Sequence, residues 1–415
     1  MYHRGPLTAL TLAALVACQG DDLDGDGYGA DEDCAALNIT IHPDAVEVCD
    51  AVDNDCDGAV DEGWFQDSDR DGYGAGTWDC VGTDWAVEGG DCDDSLASIS
   101  PGRSEQPYNG LDDDCDEATP DDDLDADGYG LDEDCDDQDP SITPETEVVW
   151  EGDLTWRGQA EAAGVNHITG HLELHDSMDS FEGLESLCRV DGIVLVSEHP
   201  SLIDLSGLSN LTFAGGVELT YNTSQVSLEG LERLVYVEDR LLVSAMPNRA
   251  FTMQGVDALV HVGYLYLISN VMPDFTGLEG LRSAGRVTIN GGELASLDGL
   301  DALEVVEGQF ELAFMPPTLE SVDGLPSLTE IGGELWVSDN QFLVDLPPMS
   351  SLQRLGSLKI EGNQRLNALD GLTGLRSVDG NVTIIDNQYL SSAAIQAFLD
   401  RVDVGGEVTQ RDNGD

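Results

Sequence analysis

Three copies of one aspartate-rich loop within the first 135 residues constrain this chain more than any other feature. Asp22-Leu23-Asp24-Gly25-Asp26-Gly27-Tyr28-Gly29 returns as Asp67-Ser68-Asp69-Arg70-Asp71-Gly72-Tyr73-Gly74, and again as Asp123-Leu124-Asp125-Ala126-Asp127-Gly128-Tyr129-Gly130. Carboxylates at positions 1, 3 and 5 can converge on one hard cation, and glycine at position 6 permits the sharp turn of a calcium loop. Tyr28, Tyr73 and Tyr129 stand at position 7. In the first and third copies position 12 is acidic as well, Asp33 and Asp134. Divalent-cation binding, with Ca2+ as the expected ion at several sites, is the leading chemical expectation.

Charge points the same way. Of the 415 residues, the stretch from Asp21 to Glu147 carries 43 Asp or Glu against two basic residues, Arg70 and Arg103. Two like charges about 4 Å apart repel by roughly 1 kcal/mol even in bulk water. Such a segment does not collapse around an apolar core unaided, so it is either disordered or held by cations and disulfides. Nucleic acid is excluded as a partner, because its phosphates would be repelled.

His3 and Arg4 precede an apolar run from Leu7 to Val16, which has the form of a secretory signal and is too short for a membrane-spanning helix. Leu15-Val16-Ala17-Cys18 resembles a bacterial lipobox, which implies removal of residues 1–17 and lipidation of Cys18. Gln19 follows instead of the Asp that marks inner-membrane retention. The expectation is an exported, lipid-anchored protein of a Gram-negative outer membrane or cell surface, touching the membrane through its lipid alone.

Eight further cysteines are Cys34, Cys49, Cys56, Cys80, Cys92, Cys115, Cys135 and Cys188. In an oxidising compartment they form a disulfide framework, whose connectivity the spacing leaves open. A four-cysteine zinc site is disfavoured, since paired C-x-x-C knuckles are lacking.

Each acidic unit continues past its first loop. Asp33-Cys34, Asp91-Cys92-Asp93-Asp94 and Asp134-Cys135-Asp136-Asp137 follow, then a proline-containing spacer. A second acidic loop is Asp53-Asn54-Asp55-Cys56-Asp57-Gly58-Ala59-Val60-Asp61-Glu62, with Asp53, Asp55, Asp57 and Asp61 as candidate ligands. A weaker copy offers Asp112, Asp114 and Asp116 around Cys115. The pattern DxDGDGYG…DCDD…P…EVCDGxDNDCDGxxDE resembles the metal-binding repeat of myxobacterial and related bacterial surface proteins, and is similar to the calcium loops of thrombospondin type 3 repeats. The departures are informative. Ala35-Ala36 replace two acids. Pro107 and Tyr108 stand where the first unit has Val48-Cys49, which leaves Cys115 without the partner open to Cys56. Trp78 takes position 12 of the second loop, so that site needs an oxygen from Asp79, Asp91 or water. A copper site would want Cys, Met or His ligands, and the module holds only His42 besides its cysteines.

From Val148 the chain becomes alternating aliphatic strands with a Gly-Leu marker at Gly183, Gly207, Gly230, Gly277, Gly299, Gly324 and Gly371, with Gly255-Val256 standing in once and Pro348-Met349 holding the position expected near 348. That is 188 residues over eight intervals, or 23.5 per coil, the sign of a solenoid whose coils bury their apolar faces by stacking. Asn222, Asn270, Asn340, Asn363 and Asn387 close strands, either as left-handed corners that merely fill a turn or as stacked amides bonding coil to coil. The consensus resembles the receptor L domain, a leucine-rich-repeat-like right-handed β-helix. The expected fold is mainly β: about nine to ten coils over 148–402 with a closing helix from Ser391 to Val402, preceded by the calcium- and disulfide-stapled module 18–147 and followed by a tail, 403–415.

Other candidates have ordinary explanations. His171 and His175 flank Glu173 on one strand face but lie roughly 13 Å apart, too far to share an ion. Cys188 reads as buried filler or a disulfide partner. Glu218, Glu311 and Glu334 read as solvated acids, and Tyr264, Tyr266 and Trp336 as rim packing or a binding surface. No Ser-His-Asp grouping, phosphate-cradling glycine loop or Rossmann fingerprint occurs. The expected function is a non-enzymatic surface lipoprotein whose calcium-stabilised stalk presents a solenoid to a protein or polysaccharide. Alternatives are a metal-sequestering protein and, further off, a glycan-active enzyme.

Overall fold

The structure, a computed structural model, describes residues 22–414 except 49, 62, 77–84, 106, 109–110, 117, 120, 122, 124, 126, 132–133, 136–139, 159–161, 163, 176–177, 226, 247–250 and 317–324. The leader with Cys18, and Cys49, Cys80, Trp78, Asp79, Asp136, Asp137 and Gly324, lie outside the described residues. Two compact units form: residues 1–105 with 112–119, and residues 106–111 with 120–415.

The first unit is loop-rich. Phe65–Gln66 pairs antiparallel with Trp85–Ala86, and Tyr73–Gly74 pairs parallel with Glu88–Gly89. Trp64 meets Trp85 edge-on, 4.2 Å between centroids. Disulfides Cys34–Cys56 and Cys92–Cys115 close loops of 22 and 23 residues. Cys115 therefore has the same partner relation as Cys56, and the expectation that it lacks one is corrected. The partner comes from the Asp-Cys stretch on the far side of the spacer, so Tyr108 replacing a cysteine costs it nothing.

The second unit is a parallel β-solenoid. Its rungs pair each with the next, from Val149–Trp150 and Leu154–Trp156 through Arg189–Ser197, Phe213–Thr220 and Tyr236–Ser244 to Val408–Arg411, with about ten turns between residues 167 and 411. No pairing among the described residues joins the first rung to the last, so the ladder is open. One column runs in register from Leu172 to Val408, buried as far as Val382 and exposed at Val408, 236 residues over ten intervals or 23.6 per coil. The inward residues and the Leu of each Gly-Leu marker form one continuous buried core.

The glycine of the marker has a steric cause. A Cβ at Gly207, Gly230, Gly255, Gly277 or Gly299 would lie 2.1–2.3 Å from backbone atoms of the preceding coil. Asparagines clamp the opposite corner. The left-handed residue is the one before, as in Tyr221, Ser269, Asp339 and Asp386 at φ 58, 53, 56 and 57. The Asn side chain itself is buried and reaches across coils. Asn363 Oδ1 accepts the Asn340 N–H (3.1 Å) while Nδ2 donates to Val337 O (2.9 Å), and Asn387 repeats both bonds to Asn363 and Ile360. The stacked-amide alternative is the correct one. Asn363→Ala strands a buried N–H and a buried carbonyl, at about 1–3 kcal/mol each. Urea unfolding should show a loss of about 2–4 kcal/mol, and a loss below half a kcal/mol would mean water replaces the amide.

The helix Ser392–Leu399 is N-capped by Ser391, whose hydroxyl accepts the Ala394 N–H at 3.2 Å. It does not close the solenoid. Asp403–Val404 and Val408–Arg411, expected as a tail, pair with Ser377–Val378 and Val382–Ile385 and add a rung. In it Gln410 aligns with Ile384, where earlier rungs carry Ile360 and Val337, so the apolar column ends in a polar residue.

On the side of the solenoid, Arg189, Phe213, Tyr236 and His261 align on successive rungs and stack: Arg189 lies 4.1 Å over Phe213, and Tyr236 stacks on Phe213 and His261 at 5.9 and 4.6 Å. Burial depresses His261 to about 4. The folded protein thus holds this ring neutral while an unfolded chain takes up a proton near pH 6.5. That stability is full above pH 6.5 and is lost as pH falls toward 4, up to about 3 kcal/mol. His261→Phe keeps the stack and should flatten the wild type's decline between pH 6.5 and 4.5. Equal slopes in urea titrations would contradict this.

Candidate metal centres

Five described loops share one hydrogen-bond design. The carboxylate at position 1 accepts amides from further round the turn: Asp22 those of Gly25 and Gly27, Asp67 those of Arg70 and Gly72, Asp53 that of Gly58, Asp112 that of Asp116, Asp123 those of Asp127 and Gly128. Position 3 accepts the N–H of position 5, in Asp24, Asp55, Asp69, Asp114 and Asp125 at 3.1–3.3 Å. Position 5 accepts the N–H of position 7, in Asp26, Asp57, Asp71, Asp116 and Asp127 at 2.8–3.1 Å. Position 6 glycines are left-handed, Gly27, Gly58, Gly72 and Gly128 at φ 102, 99, 101 and 98. Position 4 is left-handed too, filled by Gly25, Cys56, Arg70 and Cys115.

Asp22, Asp67 and Asp123 at position 1 thereby use both oxygens on the backbone, whereas Asp24, Asp26, Asp69, Asp71 and Asp127 at positions 3 and 5 spend one and bury the other without a protein partner. Asp22, Asp24 and Asp26 bring an oxygen apiece within 4.8 Å of one another, as do Asp67, Asp69 and Asp71. Buried oxygens of Asp24, Asp26, Asp53, Asp69, Asp71, Asp91 and Asp127 have no protein hydrogen-bond partner. A buried carboxylate oxygen without a partner is costly, and a cation at the centre of each loop removes that cost. Burial first, then the charge of Asp71, pushes Asp69 up to about 7, with the Asp71 amide acting the other way.

Position 12 resolves through the second loop. Asp33, Asp91 and Asp134 are all buried, and each donates its N–H to the glycine carbonyl at position 8: Gly29, Gly74 and Gly130. Asp91 is raised by burial and then by the charge of Asp71, with the hydrogen bond from the Asp93 amide acting the other way. Asp91, one of the three sources open to the second loop, thus stands as Asp33 and Asp134 do, while Asp79 lies outside the described residues. Tyr28, beyond its place at position 7, donates its hydroxyl to Asp44 at 2.6 Å and stacks on His42.

Sequence reasoning missed Glu47 and Glu105. Glu47 takes the amides of Asn54, Asp55 and Asp61 and clusters with Asp53 and Asp55; Glu105 clusters with Asp112 and Asp114. The E-V-C-D segment of the repeat pattern held that signal. Asp57 and Asp116 use an oxygen on the amides two residues on, and Asp61 spends both oxygens on the amides of Asp50 and Ala51, capping a turn. Asp33 also approaches Cys34 and Cys56, but those sulfurs form a disulfide and are not thiolate ligands.

The solenoid candidates resolve differently. His171 Nδ1 accepts the Ile193 N–H at 2.9 Å. Cys188 bonds Cys135. Glu218 pairs with Arg240, and Glu311 lies 3.6 Å from Arg286. Tyr264 and Tyr266 stack at 4.8 Å, with Arg286 over Tyr264 and Lys359 over Trp336. These rings pack on their neighbours.

Residues 29–62, 91–121 and 134–147 match a family model named for copper binding (Cu-binding MopE) and described as "Putative metal-binding motif". The matched segments hold the second loops and the Asp-Cys stretches, while the loops at 22–28, 67–73 and 123–129 lie outside them. No curated protein matches the chain.

Proposed function

We propose that this is a non-enzymatic, lipid-anchored surface protein whose acidic repeats are stapled by calcium and whose solenoid meets a protein or polysaccharide partner. The observation that carries the calcium reading is the set of partnerless buried carboxylate oxygens, repeated loop after loop. Calcium takes six to eight oxygens in flexible geometry. Copper prefers nitrogen and sulfur, and here six cysteines are oxidised and His42 Nδ1 is engaged at 2.8 Å with the Pro43 carbonyl. Lipidation of Cys18 at the outer membrane follows from the leader. A concavity of about 330 Å³ over the first solenoid rungs, lined by Asp153, His171, Glu173, Ile193, Glu218 and Arg240, is the natural place to look for partner contacts.

The second reading, metal sequestration, is favoured by the copper name of the matched family. Calorimetry on metal-stripped protein separates the two. Several calcium sites with Kd between about 10⁻⁶ and 10⁻³ M support stapling. Tight copper binding that calcium does not displace supports sequestration. For the anchor, Cys18→Ser should move the protein from the membrane to the soluble fraction, and unchanged fractionation would remove the lipid from the account.

A further inference from the structure

The third acidic repeat folds with the solenoid, unlike the first two. Its loop runs from Asp123 to Asp134, and between positions 7 and 12 lies Leu131. Leu131 is buried with Tyr108, Phe213 and Val235, and Tyr236 and Val260 pack against that cluster. Its carbonyl accepts a hydrogen bond from Arg189, the first member of the side-wall stack, itself held by Asp191 at 2.7 Å. Immediately after Asp134, which is fully buried, Cys135 is bonded to Cys188 and its carbonyl accepts the Thr212 hydroxyl at 2.9 Å. Tyr108 sits where the first repeat has a cysteine, with φ 68 and its N–H on the Asp121 carbonyl. One short stretch therefore supplies both the oxygens of a cation loop and the cover of an aromatic stack.

We propose that the ion of the third loop belongs structurally to the solenoid: it clamps Leu131 and Tyr108 over the stack of Phe213, Tyr236 and His261, and its loss uncovers that stack. This rests on the metal-binding reading above. With the ion gone, the carboxylates of Asp123, Asp125 and Asp127 repel, and the amides of Asp127, Gly128 and Tyr129 that they hold are released together. Leu131 is two residues from Tyr129 and cannot keep its place when the turn opens. The Cys135–Cys188 bond keeps the segment attached, so the change is a local opening and is reversible. What opens is the strip of Phe213, Tyr236 and His261 that Leu131 and Tyr108 cover.

The test uses the full chain in calcium, comparing wild type with Asp123→Asn/Asp127→Asn and with Leu131→Ala. The readouts are calcium stoichiometry by calorimetry, amide exchange at Thr212, Val235 and Val260, and fluorescence of an apolar-surface dye. The loop variant should lose one calcium equivalent, exchange about tenfold faster at those three amides and bind more dye, with rungs beyond Arg354 unchanged. Leu131→Ala should keep its calcium and still bind more dye. A loop variant that loses one equivalent with exchange and dye unchanged overturns the clamp and leaves metal binding intact. A Leu131→Ala protein no different from wild type overturns the cover. Wild type that takes up no calcium sinks both.

Discussion

Gly277→Ala is expected to lower the melting temperature of the solenoid by about 10 °C, through a loss of about 3–4 kcal/mol. The residue has φ 112, a conformation that side chains rarely adopt, and holding alanine there costs about 1–3 kcal/mol. The added Cβ would also lie 2.3 Å from the Met253 carbonyl group and 2.5 Å from the Gln254 nitrogen. Those are backbone atoms of the preceding coil and cannot swing aside, so the two coils must separate along a dry, close-packed contact. Gly291→Ala is the control. Its φ of 68 is left-handed, but the nearest atom to a Cβ there is the Ser269 hydroxyl at 3.8 Å. It should cost about 1 kcal/mol. If the two substitutions shift the melt equally, the coil-to-coil approach is not what makes this glycine recur.

The Gly-Leu marker was legible because a close contact repeated every coil leaves a periodic trace in the chain. The strands and the loop carboxylates were legible for the same reason: period-two burial and alternating aspartates are local patterns. What stayed hidden depends on residues distant along the chain. Glu47 reaches its loop from 6 to 8 residues before it and serves mainly as a hydrogen-bond acceptor for that loop's amides. Cys92–Cys115 closes across a spacer. The left-handed corner falls on Tyr221, Ser269 or Asp386, residues of no shared chemistry, while the asparagine after each carries the visible pattern. The substitution of Tyr108 for a cysteine looked like decay of the repeat. Tyr108 is instead buried in an apolar cluster with Leu131, Phe213 and Val235. The last rung was missed because Val408 to Arg411 are all exposed and Gln410 interrupts the aliphatic alternation that marks the rungs before it.

Chelation of the first unit is expected to abolish its protease resistance, with cleavage between residues 22 and 119 accelerated at least about 100-fold. Residues 22–105 and 112–119 carry 29 acidic and two basic side chains. Against that repulsion, the buried apolar side chains among the described residues of the unit are Ile41, Trp64, Ala86 and Ile99. So small a core cannot order about 90 residues, each of which loses roughly 1–2 kcal/mol of backbone freedom. The two disulfides among its described residues shorten the search but bring carboxylates closer together, which raises the need for counter-charge. Ion binding restores the balance, because each site adds RT ln(1 + [L]/Kd), about 2.7 kcal/mol at a hundredfold excess over Kd. Reducing agent in calcium should therefore give slower cleavage than chelator with disulfides intact. Returning calcium to the chelated, oxidised protein should restore resistance, since the cross-links preserve the register of the loops. Equal resistance before and after chelation would mean that the disulfides alone define the unit, and the partnerless aspartate oxygens would then need water to satisfy them.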